Sequence, residues 1–319
     1  MLPTLAELNA ASLLVHAYMP PTPQYRWPLL AERTGAEVWV KHENHTPVGA
    51  FKVRGGLVYA DHLRRSQPKV AGVIAATRGN HGQSVAYAAA RAGLKTVIVV
   101  PRGNSVEKNA AMRALGAELV EHGHDFQAAY EQAGMLAKER GLHMFPSFHP
   151  ALIQGVGTYA LELFAAAPRL ETIYVPIGLG SGICGVIAAR DGLGLSTRIV
   201  GVVAENAPAY ALSFAAGKPV STNSADTMAD GLACRVPVAD SVAAILKGVE
   251  RVVAVSEAEI KAAMAAYFAD THNVAEGAGA APLAALLKER DRMAGKPVAL
   301  VLSGGNVDSA VYRDVLQAG

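Results

Sequence analysis

Short apolar runs alternate with longer helix-like stretches along almost the entire chain. Runs at residues 37–41, 70–76, 95–100, 118–121, 171–176, 198–204 and 297–303 have strand length. The stretches at 51–65, 83–92, 105–115 and 125–140 predict helices, and further helices are expected between the later strands. Strands alternating with helices predict an α/β fold with mostly parallel sheets. Ligands in such folds bind beyond the carboxyl ends of strands, and that is where this chain puts its glycine-rich turns. No internal repeat, low-complexity segment or Pro/Gly/Ser-rich linker interrupts the pattern, so any division into domains must come from topology.

A length of 319 residues allows one large or two medium domains. At 51% hydrophobic and 18% charged residues, the chain suits a large core and not disorder. A net charge of +2 without a basic tract argues against nucleic acid as a partner. The longest apolar runs, such as Thr96-Val-Ile-Val-Val-Pro101, are too short to span a bilayer, so no membrane partner is expected. The segment Met1-Leu-Pro-Thr-Leu-Ala-Glu7 lacks the charged and apolar regions of a signal peptide. Only Cys184 and Cys234 are present, which excludes a disulfide framework and points to a reducing, cytoplasmic setting.

Four glycine-containing segments carry candidate chemistry. Lys52 lies in Thr46-Pro-Val-Gly-Ala-Phe-Lys-Val-Arg-Gly-Gly56, between a strand and a helix. Glycines on both sides let the backbone approach a flat ligand, and the amine can form a Schiff base with an aldehyde. The plainer reading is a solvated surface lysine. Thr77-Arg-Gly-Asn-His-Gly-Gln83 follows a strand and opens a helix. Free backbone N–H groups there make an anion site suited to a carboxylate. The plainer reading is a turn capped by Thr77 or Asn80. Pro176-Ile-Gly-Leu-Gly-Ser-Gly-Ile-Cys-Gly185 also joins a strand to a helix. Its Gly178, Gly180, Ser181 and Gly182 can wrap a phosphate with backbone amides, although no Gly-Lys-Ser/Thr follows as in a Walker loop. An ordinary tight turn is the alternative. Val301-Leu-Ser-Gly-Gly-Asn-Val-Asp308 puts Ser303 at a strand end, either to bond a pyridine nitrogen or to cap a helix.

In this order the four segments resemble those of fold-type II pyridoxal-phosphate enzymes of the threonine dehydratase and serine racemase group, from about Pro23 to Asp308. The resemblance implies two open, mostly parallel twisted sheets flanked by helices, as in tryptophan synthase β-like proteins. It implies a large cofactor-binding domain of residues 1–69 plus 149–319 and a small α/β domain, 70–148, that closes over the substrate. Lys52 would carry pyridoxal 5'-phosphate with Phe51 beside the ring, and Asn80 would bind the ring's phenolate oxygen. Gly178, Leu179, Gly180, Ser181 and Gly182 would hold the phosphate, and Ser303 would meet the pyridine nitrogen. Glu276, in Ala275-Glu-Gly-Ala-Gly279, would lie near the cofactor. Thr77, Arg78, Gly79, Asn80 and His81 would form the substrate-binding loop. A homodimer acting on a small amino acid is implied.

The chain departs from the family pattern at Ala50, where a serine is usual, and at Arg78. Dehydratases tend to have alanine at the second position, and racemases a proton-shuttling serine. A guanidinium shuttles protons poorly, which disfavours racemisation, but it offers a fork to a polar or anionic group on the substrate. The alternative is an arginine facing solvent or a structural carboxylate. In the family's divalent-cation segment Glu205 matches but the second acid falls on alanine, so no metal site is expected. His122 and His124 lack a third ligand nearby and read as surface residues, and Cys184 reads as a packing residue.

The implied activity is that of a dehydratase (ammonia-lyase). It removes water from a serine- or threonine-like β-hydroxy amino acid, or a larger polar analogue, to give a 2-keto acid and ammonia. A racemase or a β-replacement synthase is the alternative within the same cofactor class. A non-catalytic phosphate- or nucleotide-binding protein is the remote alternative, and it leaves Lys52 without a role. The Ser303 segment stands close to Gly319, so no appended effector domain is expected.

Overall fold

The computed structural model describes residues 2–167 and 169–318. Its strands are β1 (Gln24–Arg26), β2 (Glu37–His42), β3 (Gly72–Ala76), β4 (Lys95–Val100), β5 (Glu118–Glu121), β6 (His143–Met144), β7 (Thr172–Pro176), β8 (Arg198–Ala204), β9 (Arg251–Val255) and β10 (Pro297–Leu302). They form a six-stranded sheet in the order β1-β2-β10-β7-β8-β9 and a four-stranded sheet in the order β5-β4-β3-β6. Only β1 runs antiparallel to its neighbour among these strands. Parallel sheets are covered on both faces, and the inner strands are apolar accordingly. Every residue of β3 is buried, and β7, β8 and β10 are buried except at one end.

The strands predicted from the apolar runs all form, with edges shifted by a residue or two. Three elements escape that prediction. β1 and β6 are too short to leave an apolar run, and β9 is a half-buried edge strand whose run Val252-Val-Ala-Val255 is only four residues long. The helix Asn80–Arg91 begins before the predicted residue 83. Thr77 Oγ1 accepts the Gly79 N–H at 3.0 Å and closes the turn, so the Gly79 carbonyl already accepts from the Gln83 N–H at 3.2 Å.

Topology brings the candidate segments together. The chain leaves the six-stranded sheet after β2, builds the four-stranded sheet, and returns at β7. β10 then inserts between β2 and β7, with Leu302 opposite His42 and Val298 opposite Thr172. The carboxyl ends of β2, β10 and β7 therefore lie side by side and deliver the Lys52, Ser303 and Gly178 segments to one rim. The helix Lys52–Ser66 is held from two sides. A Cβ on Gly155, in the helix Pro150–Ala166, would fall 2.2 Å from the Arg54 carbonyl oxygen, so these helices cross backbone to backbone. Ser84 Oγ, on the helix Asn80–Arg91, donates to the Lys52 carbonyl at 2.7 Å. Among the described residues no helix is long and apolar enough to cross a membrane.

Candidate active site

Lys52 opens its helix, and its Nζ lies 3.4 Å from the Ser181 hydroxyl and 5.2 Å from the centre of the Phe51 ring. Burial lowers its amine from 10.5 to about 8. An amine partly neutral near that pH is a competent nucleophile for an aldehyde. Beside it, Gly180 has a φ of +94°, and a Cβ there would fall 1.7 Å from Ser241 Oγ, so the turn demands glycine. The helix Ser181–Gly192 starts at the next residue, which leaves its first-turn amides without helical acceptors. Tyr210 braces the loop by donating to the Leu179 carbonyl at 2.8 Å. Ser303 is buried at the same rim, and its carbonyl accepts the Phe51 N–H at 2.9 Å. A reactive amine, an amide-rich turn and a buried hydroxyl fit the aldehyde, phosphate and ring nitrogen of pyridoxal 5'-phosphate.

Asn80 enters from the side of the four-stranded sheet. Its Nδ2 donates to Glu276 Oε1 at 2.7 Å, and its Oδ1 accepts from Asn306 Nδ2 at 2.8 Å. Burial, then the charge of Asp230, pushes the Glu276 carboxyl above the usual carboxylate range, against the pull of Lys108 and Asn80. Lys108 itself pairs with Asp230. Ser105 donates to Asp308, and Glu107 accepts the Ser309 N–H at 2.9 Å. The first turn of the helix Val106–Ala114 is thus tied to segments of the six-stranded side. Thr77 is buried, and the half-buried His81 has its ring 5.9 Å from the Phe145 ring centre and its Nε2 enclosed. Burial, then the Lys52 charge, holds the His81 imidazole down to about 3, so it stays neutral.

A buried group of charges lies behind Lys52. Arg54 Nε meets Glu43 Oε2 at 2.7 Å, and its Nη1 meets Glu162 Oε1 at 2.6 Å. Lys41 pairs with Glu162 as well, and the Thr22 and Thr158 hydroxyls complete the hydrogen bonds. Burial would raise the Glu162 carboxyl, but Arg54 and Lys41 pull it down to about 2. His16 reaches the same carboxylate from the surface at 2.8 Å.

The remaining candidates fall outside this constellation. Arg78 is exposed, and its charge contributes only a little to lowering Asp125, whose carboxyl is held down first by the Ala128 N–H. Glu205 is exposed and pairs with Lys288 at 3.3 Å. Among the described residues no group of three His, Cys, Asp or Glu side chains is arranged to hold a metal. His124 lies at the surface. Cys184 is buried 3.8 Å from Ser241 Oγ, and burial pushes its thiol up to about 11, which suits a packing role. Sequence reasoning does not reach Ser84, Lys108, Asp230 or Tyr210, because each enters through tertiary placement. Asn306 was within reach, since it follows the two glycines after Ser303.

Comparison with known proteins agrees with this geometry. Residues 16–304 match the family described as pyridoxal-phosphate dependent enzyme. The chain is 37% identical to an L-threonine ammonia-lyase of Thermotoga maritima, across 91% of this chain and 72% of that protein. Its fold matches a threonine deaminase isoform 2 from Solanum lycopersicum in processed form, with a TM-score of 0.89, 28% identity and coverage of 99% and 94% of the two chains. Maize serine racemase gives a TM-score of 0.90 at 27% identity, with coverage of 100% and 98%. By its fold, its four converging segments and these matches, the chain belongs to the fold-type II pyridoxal-phosphate dependent enzymes.

Proposed function

We propose that the protein is a threonine dehydratase-like ammonia-lyase acting on a β-hydroxy amino acid. The observation that carries the reading is the buried, partly neutral Lys52 amine beside Ser181 and the amide-rich turn. When bound, pyridoxal phosphate supplies an electron sink for the carbon that loses its proton. Lys52 would hold the cofactor through its amine, and the same amine, when free and neutral, would accept the substrate's α-proton. Gly178, Leu179, Gly180, Ser181 and Gly182 bind the phosphate through their amides. Ser303 offers a neutral hydroxyl to the ring nitrogen, which favours prompt loss of the β-hydroxyl over transamination. The amides opening the helix Asn80–Arg91, with Thr77, Gly79 and His81, hold the substrate carboxylate. Phe51 packs beside the ring, with Tyr159 edge-on behind it at 6.2 Å, and helps exclude water. Net loss of the α-proton and the β-hydroxyl together as water leaves an enamine, whose hydrolysis gives the 2-keto acid and ammonia.

On this reading residues 70–148 close over a substrate held by residues 1–69 plus 149–319. The Lys108–Asp230 and Ser105–Asp308 contacts support such closure. A cytoplasmic homodimer completes the proposal; the two free cysteines fit a reducing compartment. Purified protein loaded with cofactor should release keto acid from at least one member of a β-hydroxy amino acid panel. Mass spectrometry after borohydride reduction should place the pyridoxyl adduct on the Lys52 peptide. An adduct confined to another lysine, or racemisation outpacing keto-acid release, overturns the reading.

A further inference from the structure

Asn306 joins segments that the sequence keeps far apart. Its Nδ2 donates to the Val48 carbonyl at 2.8 Å and to Asn80 Oδ1 at 2.8 Å. Asn80 Nδ2 in turn donates to Glu276 Oε1 at 2.7 Å. The polarity of this relay is fixed at the Val48 end. A backbone carbonyl only accepts, so Asn306 must present its NH₂ group to Val48. The second N–H of that group requires an oxygen on Asn80. Asn80 must then turn its own NH₂ toward Glu276, which leaves one further N–H to give. Glu276 does not decide the matter, because a carboxyl can accept or, when protonated, donate. The loop around Val48 leaves Asn306 little room. A Cβ on Gly49, at a φ of +68°, would fall 2.7 Å from Asn306 Oδ1, and the Gly49 carbonyl accepts the Gly305 N–H at 2.9 Å.

We propose that Asn306 is a positioning residue that sets the amide orientation of Asn80, so that a donor and not an acceptor faces the cofactor's ring oxygen. This rests on the proposed function and on the contact between Asn80 and the cofactor's phenolate oxygen that the family resemblance implies. With the amide reversed, the Asn80 carbonyl oxygen would oppose a phenolate oxygen, and a charge-assisted hydrogen bond would become a repulsion.

The test uses the full-length protein with Asn80→Ala, Asn306→Ala, Asn306→Asp and the Asn80→Ala/Asn306→Asp double variant. Two readouts are followed, the dissociation constant for pyridoxal phosphate and the visible circular dichroism of the bound cofactor. Asn306→Asp offers only oxygens and should reverse Asn80. It is expected to weaken cofactor binding on the order of tenfold and to change the dichroism as Asn80→Ala does. Asn306→Ala, which frees Asn80 without forcing it, should give a smaller change of the same kind, and it keeps the test open if Asn306→Asp does not fold. The double variant should be no worse than Asn80→Ala alone. Folded Asn306 variants with unchanged affinity and dichroism, beside an altered Asn80→Ala, would overturn the positioning role and leave the Asn80 contact standing. Additive losses in the double variant would overturn it too. An Asn80→Ala protein unchanged in both readouts would remove the Asn80 contact itself.

Discussion

Arg54 Nε stands 2.7 Å from Glu43 Oε2, and neither side chain is exposed to solvent. Arg54 sits two residues along the helix from Lys52, so its ion pair with Glu43 anchors the turn that carries the Lys52 amine. Removing Glu43 leaves Arg54 and Lys41 with the single Glu162 carboxylate between them, so one buried charge is uncompensated. Glu43→Ala should therefore destabilise the protein by about 3–5 kcal/mol, read as a lower denaturant midpoint. A loss under about 1 kcal/mol would mean that the Glu162 carboxylate alone satisfies both cations.

The two glycines flanking Ser181 should respond differently to alanine. Gly180 has positive φ and no room for a Cβ, whereas a Cβ on Gly182 would meet the Phe51 ring at an ordinary 3.6 Å. Gly180→Ala should cost at least about 2 kcal/mol of stability and weaken cofactor binding. Gly182→Ala should stay within about 1 kcal/mol of the parent protein. Equal melting temperatures for the two variants would contradict the loop geometry.

Cofactor capture should depend on pH through Lys52. Burial lowers the amine from 10.5 to about 8. Between those values the unfolded chain keeps a proton that the folded cofactor-free protein has shed, so its stability rises with pH across that window. The neutral amine is the nucleophile. The rate at which the visible band appears after mixing with pyridoxal phosphate should climb about tenfold per pH unit and level off near 8. A rate independent of pH below 8 would rule out this role for the buried amine.

Arg78 ends up exposed at the tip of the loop that opens the helix Asn80–Arg91. We propose that its exposed fork meets a distal carboxylate or hydroxyl on the substrate. Arg78→Ala should lower kcat/KM for a substrate bearing such a group about ten- to a hundredfold, with little loss for serine. Equal losses for every substrate tried would show that the residue acts on the loop and not on the substrate.

The architecture was largely legible because apolar strand runs and glycine turns alternate so regularly. Asn80, Ser181 and Ser303 stood out because each is next to a glycine at the junction of two elements, and Lys52 because its segment carries Gly49 before it and Gly55 after it. Arg54, Glu43, Glu162 and Lys41 were not. They come from β2, the 3-10 turn after it and two helices, and nothing in their local sequence distinguishes them from solvated charges. Lys108 and Asp230 were hidden for the same reason, since their pairing joins the two sheets' surroundings. The boundary at Asn80 was misread because a polar, glycine-rich turn resembles a loop until the Thr77 hydroxyl is seen to close it.

The charge group around Arg54 has a further consequence for warmth. Its chief cost is the water that two cations and two anions give up on folding. Hydration of ions becomes less favourable as temperature rises, so that cost shrinks on heating while the attractions within the group persist. The scaffold under Lys52 should therefore hold its geometry better near the upper end of the protein's working temperatures than an apolar replacement would. A variant carrying an apolar substitute for the whole group would compare best with the parent in the cold, and lose ground as the solution warms.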